Sequence, residues 1–179
     1  MRKYNVLHII TKLELGGAQQ NTLFSVAHHN REKYNVFLIS GEEGILVEDA
    51  KNIKDTQVIL LKELKHEISI FYDILCLFKL RMLLKKYKID IIHTHSSKAG
   101  IIGRFAAYLA GVPVIIHTIH GFSFNDFQNV FVKNLYIFME RIAAKITHKL
   151  IAVTKIDIDK GLKAKVGKPN QYVVIHSGI

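Results

Sequence analysis

Two histidine-rich runs carry the side chains best suited to chemistry. One reads His93-Thr94-His95-Ser96-Ser97-Lys98, and the other reads His117-Thr118-Ile119-His120-Gly121-Phe122. Imidazole near its ordinary pKa can orient a hydroxyl or exchange a proton with it, or hydrogen-bond a sugar. His120, immediately before Gly121, is the best placed for this. His93 and His117 read as satisfied buried histidines. His93 and His95 are two residues apart, so they share a face wherever the strand includes both. Four histidines near one cleft would also allow zinc ligation. Neither run holds an Asp or Glu to complete such a site, and the metal-free reading is preferred. Ser96 and Ser97 open a helix, where serine caps well. Lys98 opposes the dipole there, which points to a phosphate or carboxylate partner, with simple solvent exposure as the alternative. There is no nucleophile elbow, Cys–His pair or close pair of acids, so nucleophilic hydrolysis is not expected.

Each run follows an apolar, β-branched segment, Ile89–Ile92 and Val112–Ile116. Such segments read as strands buried on both faces of a parallel sheet. Ligands of open parallel sheets bind beyond the carboxyl ends of the strands. If the two strands are neighbours, both polar runs meet in one cleft. Between them, 98–110 reads as a helix rich in Ala and Gly, which permits close approach to the sheet. Gly111 stands at its C-terminal stop and Pro113 follows.

Along the rest of the chain, strands are expected at Tyr4–Ile10, Asn35–Ile39, Thr56–Leu61, Lys149–Val153 and Tyr172–Ile175, with the two central ones at Ile89–His93 and Val112–Thr118. Helices are expected at Ala18–Asn30, Ile68–Lys88, Val130–Thr147 and Lys155–Lys163, with a short helix or loop at Glu42–Lys51 and a loop at Ile119–Asn129. In the first helix, Leu23, Val26 and Ala27 form the inner face. In Ile68–Lys88, Phe71, Ile74, Leu75, Phe78 and Met82 follow three-and-four spacing and read as the face packed on the sheet. The alternative for that helix is an apolar and basic face that touches lipid. Strands alternating with helices require an α/β fold: a Rossmann-like parallel sheet with helices on both faces and right-handed crossovers.

The chain has 179 residues, one domain's worth, with 49% hydrophobic and 22% charged residues and a formal charge of +10. The positive balance favours anionic partners or a lysine-rich solvated surface. The single cysteine, Cys76, lies in an apolar run and reads as a core residue, in keeping with a reducing, cytoplasmic setting. The N-terminal apolar run is too short, and too interrupted by Asn5 and His8, for a signal peptide. No stretch is long and apolar enough for a membrane span.

The loop Leu13-Glu14-Leu15-Gly16-Gly17-Ala18-Gln19 follows the first strand. Its glycines allow a backbone to approach a ligand, and the helix behind them offers free amides and a positive dipole end to an anion. It is neither a dinucleotide fingerprint nor a P-loop.

Together, Leu15-Gly16-Gly17-Ala18-Gln19, the His93–Gly100 run, Gly111–Phe122 and the closing Val-Val-Ile-His-Ser-Gly-Ile resemble the N-terminal domain of retaining GT-B glycosyltransferases of family four. The resemblance covers essentially the whole chain. It implies one half of a GT-B fold, residues 1–179 being a single acceptor-binding domain, with a C-terminal donor-binding domain supplied in cis or by a partner in trans. It implies a nucleotide sugar, UDP-linked, as donor substrate, no cofactor, no metal and no nucleic acid. The acceptor would be a saccharide or lipid-linked saccharide, which the basic surface would meet at the inner face of an anionic membrane, in polysaccharide synthesis. By resemblance, Gly16 and Gly17 approach the donor phosphates and His120 lies near the transferred sugar. Ser96, Ser97 and Lys98 line the acceptor side, and His95, Gly121 and Phe122 join the substrate-binding set. Gln19 stands where several relatives have Glu, and Ser177 where the family has Asn. Alone, the fragment is expected to be inactive. The alternatives are a non-catalytic Rossmann-like module for an anionic ligand, half of a split enzyme, or a zinc hydrolase.

Overall fold

The computed structural model describes residues 2–124 and 128–177. Part of the loop expected at Ile119–Asn129 (residues 125–127) and the last two residues of the closing motif lie outside them. Seven strands form one sheet: β1 (Tyr4–Ile9), β2 (Tyr34–Ser40), β3 (Thr56–Leu60), β4 (Ile91–His95), β5 (Val114–Ile119), β6 (Lys149–Ala152) and β7 (Tyr172–Val174). The helices are α1 (Gly17–Ala27), α2 (Val47–Lys51), α3 (Ile70–Lys86), α4 (Ser97–Ala110), α5 (Val130–Lys145) and α6 (Lys155–Lys163). All neighbouring strands are parallel, in the order β3-β2-β1-β4-β5-β6-β7.

That order decides where each helix lies. The chain moves one way from β1 to β3 and the other way from β4 to β7, so right-handed crossovers put helices on opposite faces. On one face α1 and α2 pack on β1, β2 and β3 through Ile10, Val26, Val36, Leu38, Val47 and Ala50. On the other face α3 and α4 cover Leu7, Ile9, Ile92 and Ile115, and α5 and α6 continue over Ile119, Leu150 and Ala152. The first face is therefore uncovered beyond β4 among the described residues. Ile116 and Ile151 are only partly buried there, and Val173 and Ile175 are 41% and 54% exposed.

The small residues of α4 let it sit close to the sheet. A Cβ on Gly103 would fall 2.8 Å from Thr94 Cγ2, and one on Gly100 would fall 2.6 Å from the His117 ring. Gly111 ends the helix in the left-handed region at φ 76°. Behind α4, Arg104 is fully buried and pairs with Glu140 of α5 at 2.8 Å, while its Nε donates to Gly100 O.

Three expectations are corrected. Both central strands start two residues later than expected and reach further: β4 continues past His93 through Thr94 and His95, and β5 continues one residue past Thr118 to Ile119. Thr94 hydrogen-bonds the His117 ring and His93 bonds Thr118, so each polar side chain finds a partner across the ladder. In α1, Ala27 is exposed and the buried residues are Thr22 and Val26. In α3, the buried stripe is Cys76, Leu80 and Leu84, whereas Phe71, Ile74, Phe78 and Met82 face outward. This helix is apolar nearly all round, so its spacing marks more than one stripe and only packing selects between them.

Candidate functional site

Two strand-to-helix transitions at the carboxyl edge of the sheet bring the candidate residues together. After β1, Gly16 is the N-cap of α1 in extended conformation, with no capping side chain and no acid in the first turn. The first amides of α1 are therefore left to solvent or a ligand. A side chain at Gly17 would meet open space, and Gln19 is half-buried with its Oε1 lying over Gly16.

After β4 the backbone is knotted into the protein. Ser96 has φ 59° and ψ 160°, a region that essentially only glycine visits freely, at a cost of about 1–3 kcal/mol. Its Oγ bonds Thr11 Oγ1 at 2.7 Å, and Thr11 Oγ1 also accepts from Ala99 N at 3.1 Å. Thr11, at the end of β1, thus caps α4 from a neighbouring strand. Ser97 Oγ bonds Ser123 Oγ. Lys98 is paired with Asp73 of α3 at 2.6 Å and donates to Glu67 O, so it is neither exposed nor free. Gly121 (φ 118°) is exposed, while Phe122 turns back to pack on Phe124 and beside Gly161.

His8, His93 and His95 occupy the face that carries α1, whereas His117 lies on the opposite face against Gly100 of α4. His8 of β1 lies directly beside His93 of β4, and the His93 and His95 ring centroids are 4.2 Å apart with the planes tilted by 34°. His95 is fully buried and bonds His8 on one side and His120 on the other. His120 is half-buried at the carboxyl edge, so of this bonded pair it is the ring nearer the surface. Burial, followed by the neighbouring His93, His29 and Arg31 charges, pushes His8 well below the ordinary imidazole pKa. His93 is pushed down to about 3, chiefly by burial. Burial also holds His95 well below the ordinary imidazole range, and His117 likewise with Arg104 adding to it. His120 is lowered less, because Asp157 opposes its burial. These rings are neutral at pH 7.

One ring nitrogen from each of His8, His93 and His95 lies within 4.8 Å of the others. The fit to a metal ion is poor. His8 Nδ1 and His95 Nε2 already share a hydrogen bond at 3.1 Å, so a proton sits where an ion would need both lone pairs. Among the described residues no carboxylate completes the set.

Sequence reasoning missed a cleft of about 350 Å³ at the ends of β1, β2 and β3, lined by Thr11, Lys12, Glu42, Glu43, Lys62, Lys65, His66 and Tyr72. Lys12 is held by Glu14 and Glu43, and Lys65 lies over the Tyr72 ring. Lys62, Lys65 and His66 gather in one short loop, and that local density was the available signal. His8 and His29 were also missed. A histidine inside a buried strand was the cue for the first.

The family model described as Glycosyltransferase Family 4 matches residues 15–179. The chain belongs to this family. It is 36% identical over 177 residues to the UDP-Gal:alpha-D-GlcNAc-diphosphoundecaprenol alpha-1,3-galactosyltransferase of Escherichia coli, covering 99% of this chain and 45% of that protein. It is 31% identical over 163 residues to the O-antigen biosynthesis glycosyltransferase WbnH of Escherichia coli, covering 89% and 44%. The chain therefore spans less than half the length of these curated relatives. Among solved structures, a glycosyltransferase of Rickettsia africae superposes with TM-score 0.76 at 21% identity over 100% of this chain and 44% of that one. MurG of Acinetobacter baumannii gives 0.67 at 11%, over 99% and 47%. The fold is that of the N-terminal domain of a GT-B glycosyltransferase, and the expected resemblance holds.

Proposed function

We propose that this chain is the acceptor-binding half of an enzyme that moves a sugar from a UDP-sugar to a lipid-linked saccharide, with retention, in bacterial cell-surface polysaccharide synthesis. The observation that carries the reading is the polar carboxyl edge, with its uncapped Gly16-Gly17 helix start and the basic cleft around Lys62 and Lys65, in a chain 36% identical to a galactosyltransferase whose named acceptor is a lipid diphosphate. The α1 amides and dipole would stabilise charge growing on the departing diphosphate, and Gln19 would orient it. His120 would hydrogen-bond the transferred sugar, with Gly121 and Phe122 shaping the cleft beside it. Ser96 and Ser97 would fix the acceptor wall, and Lys98 would reach an acceptor only by exchanging its Asp73 partner.

The donor-binding half would come from further chain or from a partner protein. Lipid contact is favoured by the outward stripe of α3, Phe71, Ile74, Phe78 and Met82, which ends near Lys85 and Lys86, and by Phe131, Leu135 and Phe138 on α5. An apolar stripe with basic flanks lies in the interface of an anionic leaflet, which would place the protein peripherally at the cytoplasmic face. No helix among the described residues is long and apolar enough to cross a membrane.

The test is to give the purified chain a short-chain GlcNAc-diphosphate lipid and radiolabelled UDP-galactose. Binding of the lipid diphosphate without transfer is expected. Transfer by the chain alone would overturn the division of labour, and absence of acceptor binding would overturn the assignment of this half.

A further inference from the structure

Four imidazoles are hydrogen-bonded in series across the covered part of the sheet. His29 Nε2 meets His8 Nε2 at 2.8 Å, His8 Nδ1 meets His95 Nε2 at 3.1 Å, and His95 Nδ1 meets His120 Nε2 at 3.2 Å. His29 follows α1 and is half-buried, with Tyr34 edge-on to its ring. His8 and His95 are fully buried, and His120 is half-buried at the carboxyl edge of the sheet, just past β5.

A neutral imidazole carries one N–H and one lone pair. Only two arrangements then satisfy all three contacts. In the first, every ring donates toward His120, so that His8, His95 and His120 all carry the proton on Nδ1, and His120 presents an N–H beyond the chain. In the second, every ring donates toward His29, so that the same three rings carry it on Nε2, and the outer nitrogen of His120 is a bare acceptor. We propose that His29, His8, His95 and His120 act as one proton relay, whose common direction sets whether His120 donates or accepts in the cleft.

Passing from the first arrangement to the second balances. His120 releases its Nδ1 proton to a base in the cleft, each ring hands one proton to the next, and His29 takes one from water at Nδ1. The reverse passage removes a proton from the cleft, as when an acceptor hydroxyl attacks. Other groups beside the chain bias it: Arg31 lowers proton affinity at His8 and His29, and Asp157 raises it at His120. His93 lies against His8 and His95 but spends its Nε2 on Thr118, so it is a branch rather than a link. The catalytic meaning rests on the reading of His120 given above, whereas the relay itself does not. His8, His29 and His95 are positioning residues.

The test is long-range proton–nitrogen correlation NMR on the chain with ¹⁵N-labelled histidine. The unsubstituted protein should show His8, His95 and His120 sharing one tautomer. Opposite tautomers at His8 and His95 would overturn the relay. His29→Lys, a donor only, should drive His120 toward Nδ1–H, and His29→Glu, an acceptor only, toward Nε2–H. A His120 tautomer identical in both folded variants would also overturn it. If the tautomers are coupled but acceptor binding and transfer by the complete enzyme ignore His29, the relay stands and the proposed role of His120 falls.

Discussion

The transitions after β1 and after β4 stand at the same edge of the same sheet and are built in opposite ways. The first is glycine, uncapped and open, with nothing within 4 Å of a Cβ at Gly17. The second is strained at Ser96, stitched to Thr11 and Ser123, and braced by Lys98–Asp73. An open helix start leaves donors for a ligand, whereas a stitched one fixes the wall against which a ligand sits. The helix that follows the strained residue is also tied to α5 by the buried Arg104–Glu140 pair.

Acid is the strongest way to break the stitched side, since buried neutral imidazoles lie under it. An unfolded histidine has the ordinary pKa of 6.5, whereas His93 is held down to about 3 and His8, His95 and His117 are lowered too. Between those values the unfolded chain binds more protons, so stability is complete above about pH 6.5 and falls as pH drops. Each ring contributes up to about 1.4 kcal/mol per pH unit. Urea midpoints should fall steeply from pH 7.5 to pH 5, and His93→Asn should flatten that slope; a midpoint independent of pH would count against the burial of these rings.

Next in size, Glu140→Ala should lower stability by about 3–5 kcal/mol, because it leaves Arg104 charged and buried without its partner. Chemical denaturation reads this directly, and a loss near zero would mean that the pair does not hold α4. Thr11→Val removes the cap on α4 while keeping shape, and should lower stability by about 1–2 kcal/mol. The smallest stability effect belongs to the open side. Gly17→Ala should leave the thermal midpoint nearly unchanged yet weaken pyrophosphate binding, read by calorimetry, by about tenfold, or about 1.4 kcal/mol. Unchanged pyrophosphate affinity would make the Gly16-Gly17 turn purely structural.

The sequence made the architecture readable because each strand is a continuous apolar run closed by turn residues, and α4 carries its own stop at Gly111. The shared face of His93 and His95 followed from strand periodicity once the strand includes both, whereas the adjacency of β4 and β5 was only a condition until the topology supplied it. What escaped depended on long-range partners. Which stripe of α3 is buried is decided by α4 and the sheet, not by spacing within the helix. Thr11 caps a helix that begins 86 residues later, and Arg104 finds Glu140 on another helix. Lys98 read as a cation with an anionic partner, but that partner could not be named, because Asp73 belongs to α3. The histidine relay was half visible: His95 and His120 drew notice, but His8 and His29 join them only when β1 lies beside β4.

The interior position of β1, between β2 and β4, also governs how the protein comes off the ribosome. β1, α1 and β2 can dock as soon as Ser40 has emerged, since Tyr4–Ile9 pairs with Tyr34–Ile39. The other edge of β1 must wait for Ile91–Thr94. During that interval the nascent chain carries an unsatisfied strand edge of the kind that invites intermolecular pairing. Slow synthesis or chaperone occupancy across residues 41–90 would therefore govern yield more than any single contact in the finished protein.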